Sequence, residues 1–326
     1  MEYRKMPGTG LELSVLSLGA MQFGGQTSEA DSLAIMDFAF EHGINVIDTA
    51  NSYVGGESEK VVGKGLKGRR DKIILSTKVG NRTGTGSNTS GLGRRHVLAA
   101  VDASLKRLDT DYIDIYYMHM PDYDTTPEET METMNTIVKA GKVRYLGVSN
   151  FAAWQMADIL GICERRGYVP LVICQNVYNL ITRGIEAELI PFLKTHTMGM
   201  FVYNPIAAGL LSGKHNPGVP AQGTRFSDGH KQANLYYGRY WTDENFAAVE
   251  KLKKIAGEHG MNILQLAMKW CAQHRITTSV ITGVSRLSQL EQNIAALEGE
   301  PLDSKILEQC DEVWRSLAGN RFAYNR

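Results

Sequence analysis

Eight short apolar runs, rich in β-branched and aromatic residues and each followed by a stretch with helical spacing, constrain this 326-residue chain more than any other feature. They stand at Val15 to Leu18, Asn45 to Ile47, Ile73 to Thr77, Ile113 to Met118, Val143 to Val148, Leu171 to Cys174, Met200 to Val202 and Thr278 to Ile281. Their starts lie roughly 30 residues apart, with one wide gap before the last, an interval that holds a strand, a crossover helix and two short loops. Helices are expected over 28 to 42, 58 to 66, 94 to 108, 127 to 140, 152 to 167, 186 to 196, 243 to 273 in two pieces, and 287 to 297. Gly43, Gly141, Gly167 and Gly199 stand just past four of these, where a left-handed cap favours glycine. Strands apolar on both sides, with helices between them, predict a parallel sheet covered on each face. At this length, eight repeats predict an α/β fold closed as a (β/α)8 TIM barrel rather than an open doubly wound sheet.

Three segments fall outside the repeat. Tyr3 to Leu13, with Gly-Thr-Gly between two strand-like runs, reads as a hairpin plugging the barrel's amino-terminal end. Ile206 to Trp241 reads as one long loop, and loops of that length in compact domains are usually functional or disordered. The tail from Asp303 begins as a helix. No linker or second composition appears, so 1–326 is expected to be a single domain. Thirty-five Lys and Arg balance 35 Asp and Glu, which argues against a nucleic-acid partner. No apolar stretch approaches the length of a membrane span and the start lacks a signal-peptide core, so a cytoplasmic protein without a membrane partner is expected. Cys163, Cys174, Cys271 and Cys310 are far apart and read as reduced packing residues.

In a barrel the chemistry belongs at the carboxyl ends of the strands. Here those ends are polar: Asp48 on the second, Lys78 on the third, His119 on the fourth, Ser149 and Asn150 on the fifth, Gln175 on the sixth, Tyr203 and Asn204 on the seventh. Tyr53 follows Asp48 on the same loop. Taken singly, each has an ordinary reading as a cap, a solvated strand end or a packed side chain. An acid, an amine and an imidazole on three successive strands, with a phenol beside them, make coincidence the weaker account. A free phenol titrates near 10, and a neighbouring ammonium is expected to lower that value and make Tyr53 a better general acid. Asp48 would hold Lys78 charged and oriented, and His119 would position the substrate oxygen or share the proton. A site that protonates oxygen also needs a hydride for carbon, which these side chains cannot supply.

The segments Gly43-Ile-Asn-Val-Ile-Asp48-Thr-Ala with Tyr53, Ser76-Thr-Lys78, Tyr116-Tyr-Met-His119-Met-Pro-Asp and Gly147-Val-Ser149-Asn150 stand in this order, followed by Gln175, Tyr203-Asn204-Pro205, Gly209-Leu-Leu-Ser-Gly-Lys214 and Gly283-Val-Ser285-Arg286 with Gln289 and Asn293. This pattern, running from residue 3 to 318, resembles the aldo-keto reductase superfamily, which reduces aldehydes and ketones with NADPH on a (β/α)8 barrel. The resemblance puts the family's tetrad on Asp48, Tyr53, Lys78 and His119. Tyr178-Asn-Leu-Ile-Thr-Arg183, Arg225-Phe226, Arg239-Tyr-Trp241 and Gln289-Leu-Glu-Gln-Asn293 look closest to the aflatoxin aldehyde reductase branch, which also takes small aldehydes. The tail departs from that branch, ending Phe-Ala-Tyr-Asn-Arg, so the arginine that meets substrate carboxylates there has no clear match in Arg321 or Arg326.

The resemblance assigns Ser149, Asn150 and Gln175 to the nicotinamide carboxamide and Tyr203 to stacking on the ring. Asn204, Pro205 and the stretch Ala207 to Lys214, with Ala208, Leu210, Ser212 and Lys214, would wrap the pyrophosphate with backbone N–H groups. Gly283, Ser285, Arg286, Gln289 and Asn293 would hold the adenosine end at a helix start. Arg225 and Arg286 are the candidates for the 2′-phosphate, hence NADPH. Met21, Phe23, Met120 and Trp241, with Tyr53 and His119 at the base, would line the pocket for a small-molecule carbonyl substrate, and branch resemblance implies a homodimer. Gly84-Thr-Gly86 lacks the third glycine of a dinucleotide fingerprint, and none of the eight histidines forms H-x-H or H-E-x-x-H, so no metal is expected. The alternative is a nicotinamide-binding redox sensor or accessory subunit, like the potassium-channel β-subunits of the same superfamily, which carry asparagine where this chain has His119.

Overall fold

The computed structural model describes residues 1–220, 223–227 and 233–318. Arg321 and Arg326 lie outside the described residues. The chain starts as an antiparallel hairpin of β1 (Tyr3–Lys5) and β2 (Glu12–Ser14), with Arg4 opposite Leu13. Strands β3 (Leu16–Gly19), β4 (Val46–Asp48), β5 (Ile74–Val79), β6 (Ile113–Met118), β7 (Val143–Ser149), β8 (Leu171–Val177), β9 (Gly199–Tyr203) and β10 (Thr277–Gly283) follow. All eight are parallel, each bonded to the next in sequence, and β10 pairs with β3 to close the barrel.

The wall is made by α1 (Glu29–Glu41), α2 (Glu57–Leu66), α3 (Arg94–Leu108), α4 (Pro127–Lys139), α5 (Ala153–Arg166) and α6 (Leu189–Thr195), then α7 (Ala233–Tyr240), α8 (Asp243–Glu258), α9 (Ile263–Gln273), α10 (Leu287–Ala295) and α11 (Ser304–Ala318). Local chemistry starts them where they start. On α4 the Thr126 side chain accepts from the Glu129 N–H, Pro127 takes the first turn, and Glu128 and Glu129 face the helix's positive end. On α9 Asn262 and Gln265 form a reciprocal capping box at 2.9 Å each way.

Two layers of core result. Between strands and helices runs a continuous apolar shell that includes Leu18, Ile47, Val79, Met118, Val148 and Met200. Inside the barrel, Val46, Ile115, Tyr117, Ile173, Phe201 and Ile281 pack together with Met6 and Leu13 of the hairpin, which plugs the amino-terminal end as expected. A Cβ on Gly147 would stand 2.5 Å from the Tyr117 ring, so only glycine at this point of β7 lets that ring fill the interior.

Three sequence expectations need correction. Ile206 to Trp241 is not one loop: it contains the short 3-10 segment Ala207–Ser212 and the helix α7. The strand ends reach further than the apolar runs, so Lys78, Ser149, Gln175 and Tyr203 belong to their strands. Gly43, Gly141 and Gly167 do take positive φ, whereas past α6 Thr197 takes it (φ 53°) and Gly199 opens β9. A Cβ on Gly199 would come within 3.1 Å of Met6 Cγ, so close approach of the hairpin accounts for that glycine.

Candidate active site

Side chains two residues apart on a strand share a face. Val46, Tyr117, Ile173, Phe201 and Ile281 face the barrel interior, so two residues onward Asp48, His119, Gln175, Tyr203 and Gly283 follow the same line toward the mouth. The interior packing thus aims the polar residues at one rim.

At its centre Lys78, fully buried, donates to Asp48 Oδ2 at 2.5 Å, to the Thr49 carbonyl at 2.8 Å and to Tyr53 Oη at 3.4 Å. Asp48 Oδ1 accepts from Ser76 Oγ at 2.7 Å and from Gln175 Nε2 at 3.0 Å. Tyr53 opens a tight turn just after β4; Val54 beside it is held at φ 49°, a strained conformation for a β-branched residue. The Tyr53 and His119 rings meet edge to face with centroids 5.7 Å apart. Carboxylate, ammonium, phenol and imidazole therefore converge, as their strand positions implied.

Their electrostatics differ from the expectation. Burial, then the Asp48 charge, pushes the Tyr53 phenol well above its ordinary value, with Arg225 opposing. The contact with Lys78 does not reverse this shift, because the ammonium lies in a tight pair with Asp48 and burial pulls its own pKa down. Tyr53 therefore holds its proton firmly. Burial, and then Lys78, pushes His119 down to about 3, so the imidazole is neutral near pH 7.

Along the rim, Asn150 at φ 64° donates from Nδ2 to the His119 carbonyl and to Ser149 Oγ, both at 3.0 Å, and Ser149 Oγ donates to the Gln175 carbonyl at 2.9 Å. Tyr203 Oη donates to Asn150 Oδ1 at 2.7 Å, which fixes the plane of its ring. Beyond Tyr203 the loop's own polar groups are largely used. Asn204 Oδ1 accepts from the Ala208 N–H and its Nδ2 donates to Tyr240 Oη, while the amides of Ala207, Gly209, Leu211 and Gly213 reach carbonyls within the loop. Pro205 and Leu210 are buried, and Ser212 Oγ donates to the Gly209 carbonyl. The backbone cradle expected of Ala207 to Lys214 is thus narrower than its glycines implied.

Positive charge takes its place. Lys214, Arg225 and Arg286 form a cluster in which burial and then the two arginines lower the Lys214 pKa, and none of the three pairs with a carboxylate among the described residues. Arg225 Nη2 lies 3.3 Å from where a Gly283 Cβ would stand, and Arg286 is the residue before α10, whose N-terminus it leaves without a side-chain cap. Gln289 Oε1 accepts from the Ser285 N–H at 2.9 Å and Asn293 Nδ2 donates to Thr282 Oγ1 at 2.5 Å, so both hold the corner between β10 and α10. Mutually repelling cations at an open helix start fit a phosphate-bearing group.

A family model for the aldo/keto reductase family matches residues 15–315. The chain belongs to that family. Among aldo/keto reductase relatives, a probable voltage-gated potassium channel subunit beta of Arabidopsis thaliana is 36% identical over 323 residues, covering 97% of each chain. The L-glyceraldehyde 3-phosphate reductase of Escherichia coli is 34% identical over 96% of this chain and 92% of its own. Aflatoxin B1 aldehyde reductase member 2 of Mus musculus is 32% identical over 92% and 84%.

The walls of this reductase's mouth differ from the expected pocket. Phe23 is fully buried in the shell between strands and helices and offers nothing to a ligand. Trp241 donates from Nε1 to the Gly218 carbonyl at 3.0 Å and stacks on Tyr237 in a cluster with His215, Phe226 and Phe246. Met21 is half-buried, while Met120, 48% exposed, lines a cavity of about 390 Å³ with Asn81, Arg82, Leu92 and Asp122. Among the described residues no helix is long and apolar enough to cross a membrane, and the four cysteines are buried and free. Three neighbours of the four groups were given no role from the sequence: Ser76 on Asp48, Asn81 on His119, and Tyr236 of α7, whose field reaches Tyr53. Tyr236 and Tyr240, four apart, were the available signal for that helix.

Proposed function

We propose that the chain reduces aldehydes, and some ketones and dicarbonyls, to alcohols with NADPH, Tyr53 giving the proton to oxygen. The contact of Tyr53 Oη with Lys78 Nζ, 3.4 Å apart at the barrel mouth, carries this reading. A bound nicotinamide would supply the hydride to the carbonyl carbon. Tyr53 holds its proton until negative charge develops on the substrate oxygen, which makes the transfer favourable even from a phenol of high pKa. Lys78 then stabilises the phenolate left behind, Asp48 keeps Lys78 in place, and the neutral His119 aligns the oxygen. Ser149, Asn150, Gln175 and Tyr203 would hold the nicotinamide end. Lys214, Arg225 and Arg286 would hold the phosphates, their uncompensated charge favouring NADPH over NADH. The relatives named as aldehyde and glyceraldehyde 3-phosphate reductases support the reaction class.

The test is Tyr53→Phe. With 4-nitrobenzaldehyde and NADPH, turnover should fall by about 10²–10⁴-fold, while NADPH still binds and the wild type prefers it to NADH. Oxidation of NADPH near the normal rate by this variant would overturn the reading. The potassium channel subunit among the relatives favours a second one, a redox sensor that binds the cofactor and turns over slowly. Tight retention of NADPH with little steady-state reduction of any aldehyde would identify the sensor; His119 in the tetrad supports the enzyme.

A further inference from the structure

Asn81 lies outside the tetrad, yet it touches the group that would align the substrate. Two residues past β5, its Nδ2 stands 3.1 Å from His119 Nδ1, and its residue also lines the cavity of about 390 Å³ at the mouth. The chain brings it there by a defined turn. Gly80 takes φ 127°, its carbonyl accepts from the Gly91 N–H at 2.8 Å, and the His119 N–H donates to the Val79 carbonyl at 2.8 Å. Loop 81–91 and the end of β6 are thereby tied at their base.

An amide nitrogen can only donate. An imidazole nitrogen facing it must present its lone pair, since two N–H groups pointed at each other would repel. In a neutral ring the proton then sits on the other nitrogen. We propose that Asn81 is a positioning residue that fixes His119 in the Nε2–H tautomer, so that the imidazole meets the substrate carbonyl as a hydrogen-bond donor. The proposal rests on the reductase reading for its consequence and, for the tautomer, on the amide orientation that turns Asn81 Nδ2 to a neutral ring. Neutrality of the ring follows from its surroundings: burial and the Lys78 charge from β5 both disfavour imidazolium. Tyr53 meets the ring edge to face, Asp48 lies behind Lys78 in the ion pair, and Asp122 on the ring's own loop is turned to the Leu92 N–H at 2.6 Å. Among the described residues no hydrogen bond is made to His119 Nε2, which leaves its proton for the ligand.

The test has a spectroscopic and a kinetic arm, both on the full chain. Nitrogen NMR of the ¹⁵N-histidine-labelled, cofactor-free protein at pH 7, with the His119 signal assigned from His119→Asn, should show a protonated Nε2 and a bare Nδ1. A protonated Nδ1 would overturn the proposal whatever the activity, and this arm is independent of whether Tyr53 is the acid. Kinetically, Asn81→Ala should lower kcat/KM for the aldehyde by about ten- to a hundredfold, by analogy with the loss of a partner that orients a metal-bound imidazole, with NADPH affinity unchanged. Asn81→Asp separates orientation from mere support. Its carboxylate accepts from Nδ1–H, reversing the neutral tautomer and raising the ring's pKa. Activity should therefore be depressed at high pH and recover as pH falls through the raised value, where imidazolium again carries Nε2–H. A loss that is the same at every pH, or an Asn81→Ala variant with wild-type kcat/KM, would overturn it; if Asn81→Asp does not fold, the wild-type spectrum decides.

Discussion

Histidines 119 and 215 share an unusual condition: burial, assisted by Lys78 for one and Lys214 for the other, pushes them down to about 3 and about 4. Both are neutral in the folded chain, while in the unfolded chain they titrate near 6.5. The unfolded state thus binds more protons below that value. Stability should be full above about pH 6.5 and fall as pH drops toward 4, by up to ~1.4 kcal/mol per unit for each fully shielded ring. His215 meets Phe226 and Trp241 edge to face, so His215→Phe fits its surroundings, and urea midpoints measured from pH 7.5 to 4.5 should fall less steeply in that variant. Equal slopes would remove His215 from the account. The convergence of Asp48, Tyr53, Lys78 and His119 was legible in the sequence because each stands at or beside the end of an apolar strand. The direction of the phenol's shift was not, since it depends on how completely Asp48 neutralises Lys78, a matter of 2.5 Å in space between residues 30 apart. Asn81 was invisible for a similar reason: one loop asparagine among many.

Strands and helices were the most readable level, because parallel strands buried on both sides carry nearly continuous apolar runs. Where the reading stopped short, polar residues had entered the strand: Ser149, Gln175 and Tyr203 are paired in β7, β8 and β9 although they break the apolar run. Helix α7 escaped because its sequence, with three tyrosines and Gly238, has weak intrinsic helical preference. Its helical form comes instead from burying Tyr236 and Tyr240, the latter taking a hydrogen bond from Asn204 at 2.8 Å. The interior of β7 gives a sharper prediction. Gly147→Ala would drive a methyl into the Tyr117 ring and Ile173, with no flexible end to yield, and should cost about 1–3 kcal/mol by urea denaturation. An unchanged midpoint would mean that the interior repacks freely.

Across the whole molecule the two ends of the barrel do different work. The hairpin seals one with Met6 and Leu13, and truncating Leu13 to Ala should cost about 2–5 kcal/mol in a denaturant titration. The folded fraction of that variant should keep its aldehyde turnover, because the opposite rim holds the candidate site. A matching loss of kcat would show the two ends to be coupled. That opposite rim has a constraint of its own in the Asp48 carboxylate. Ser76 and Lys78 reach it from the neighbouring β5, and Gln175 reaches it from β8 on the far side. The group thus acts as a cross-brace over the opening, and trading away one of its partners would loosen the architecture together with the chemistry. Acquiring a new repertoire of carbonyl compounds is therefore easiest through segments that hang clear of the brace, such as 82–90 and 120–125, where change is cheap in heritable terms.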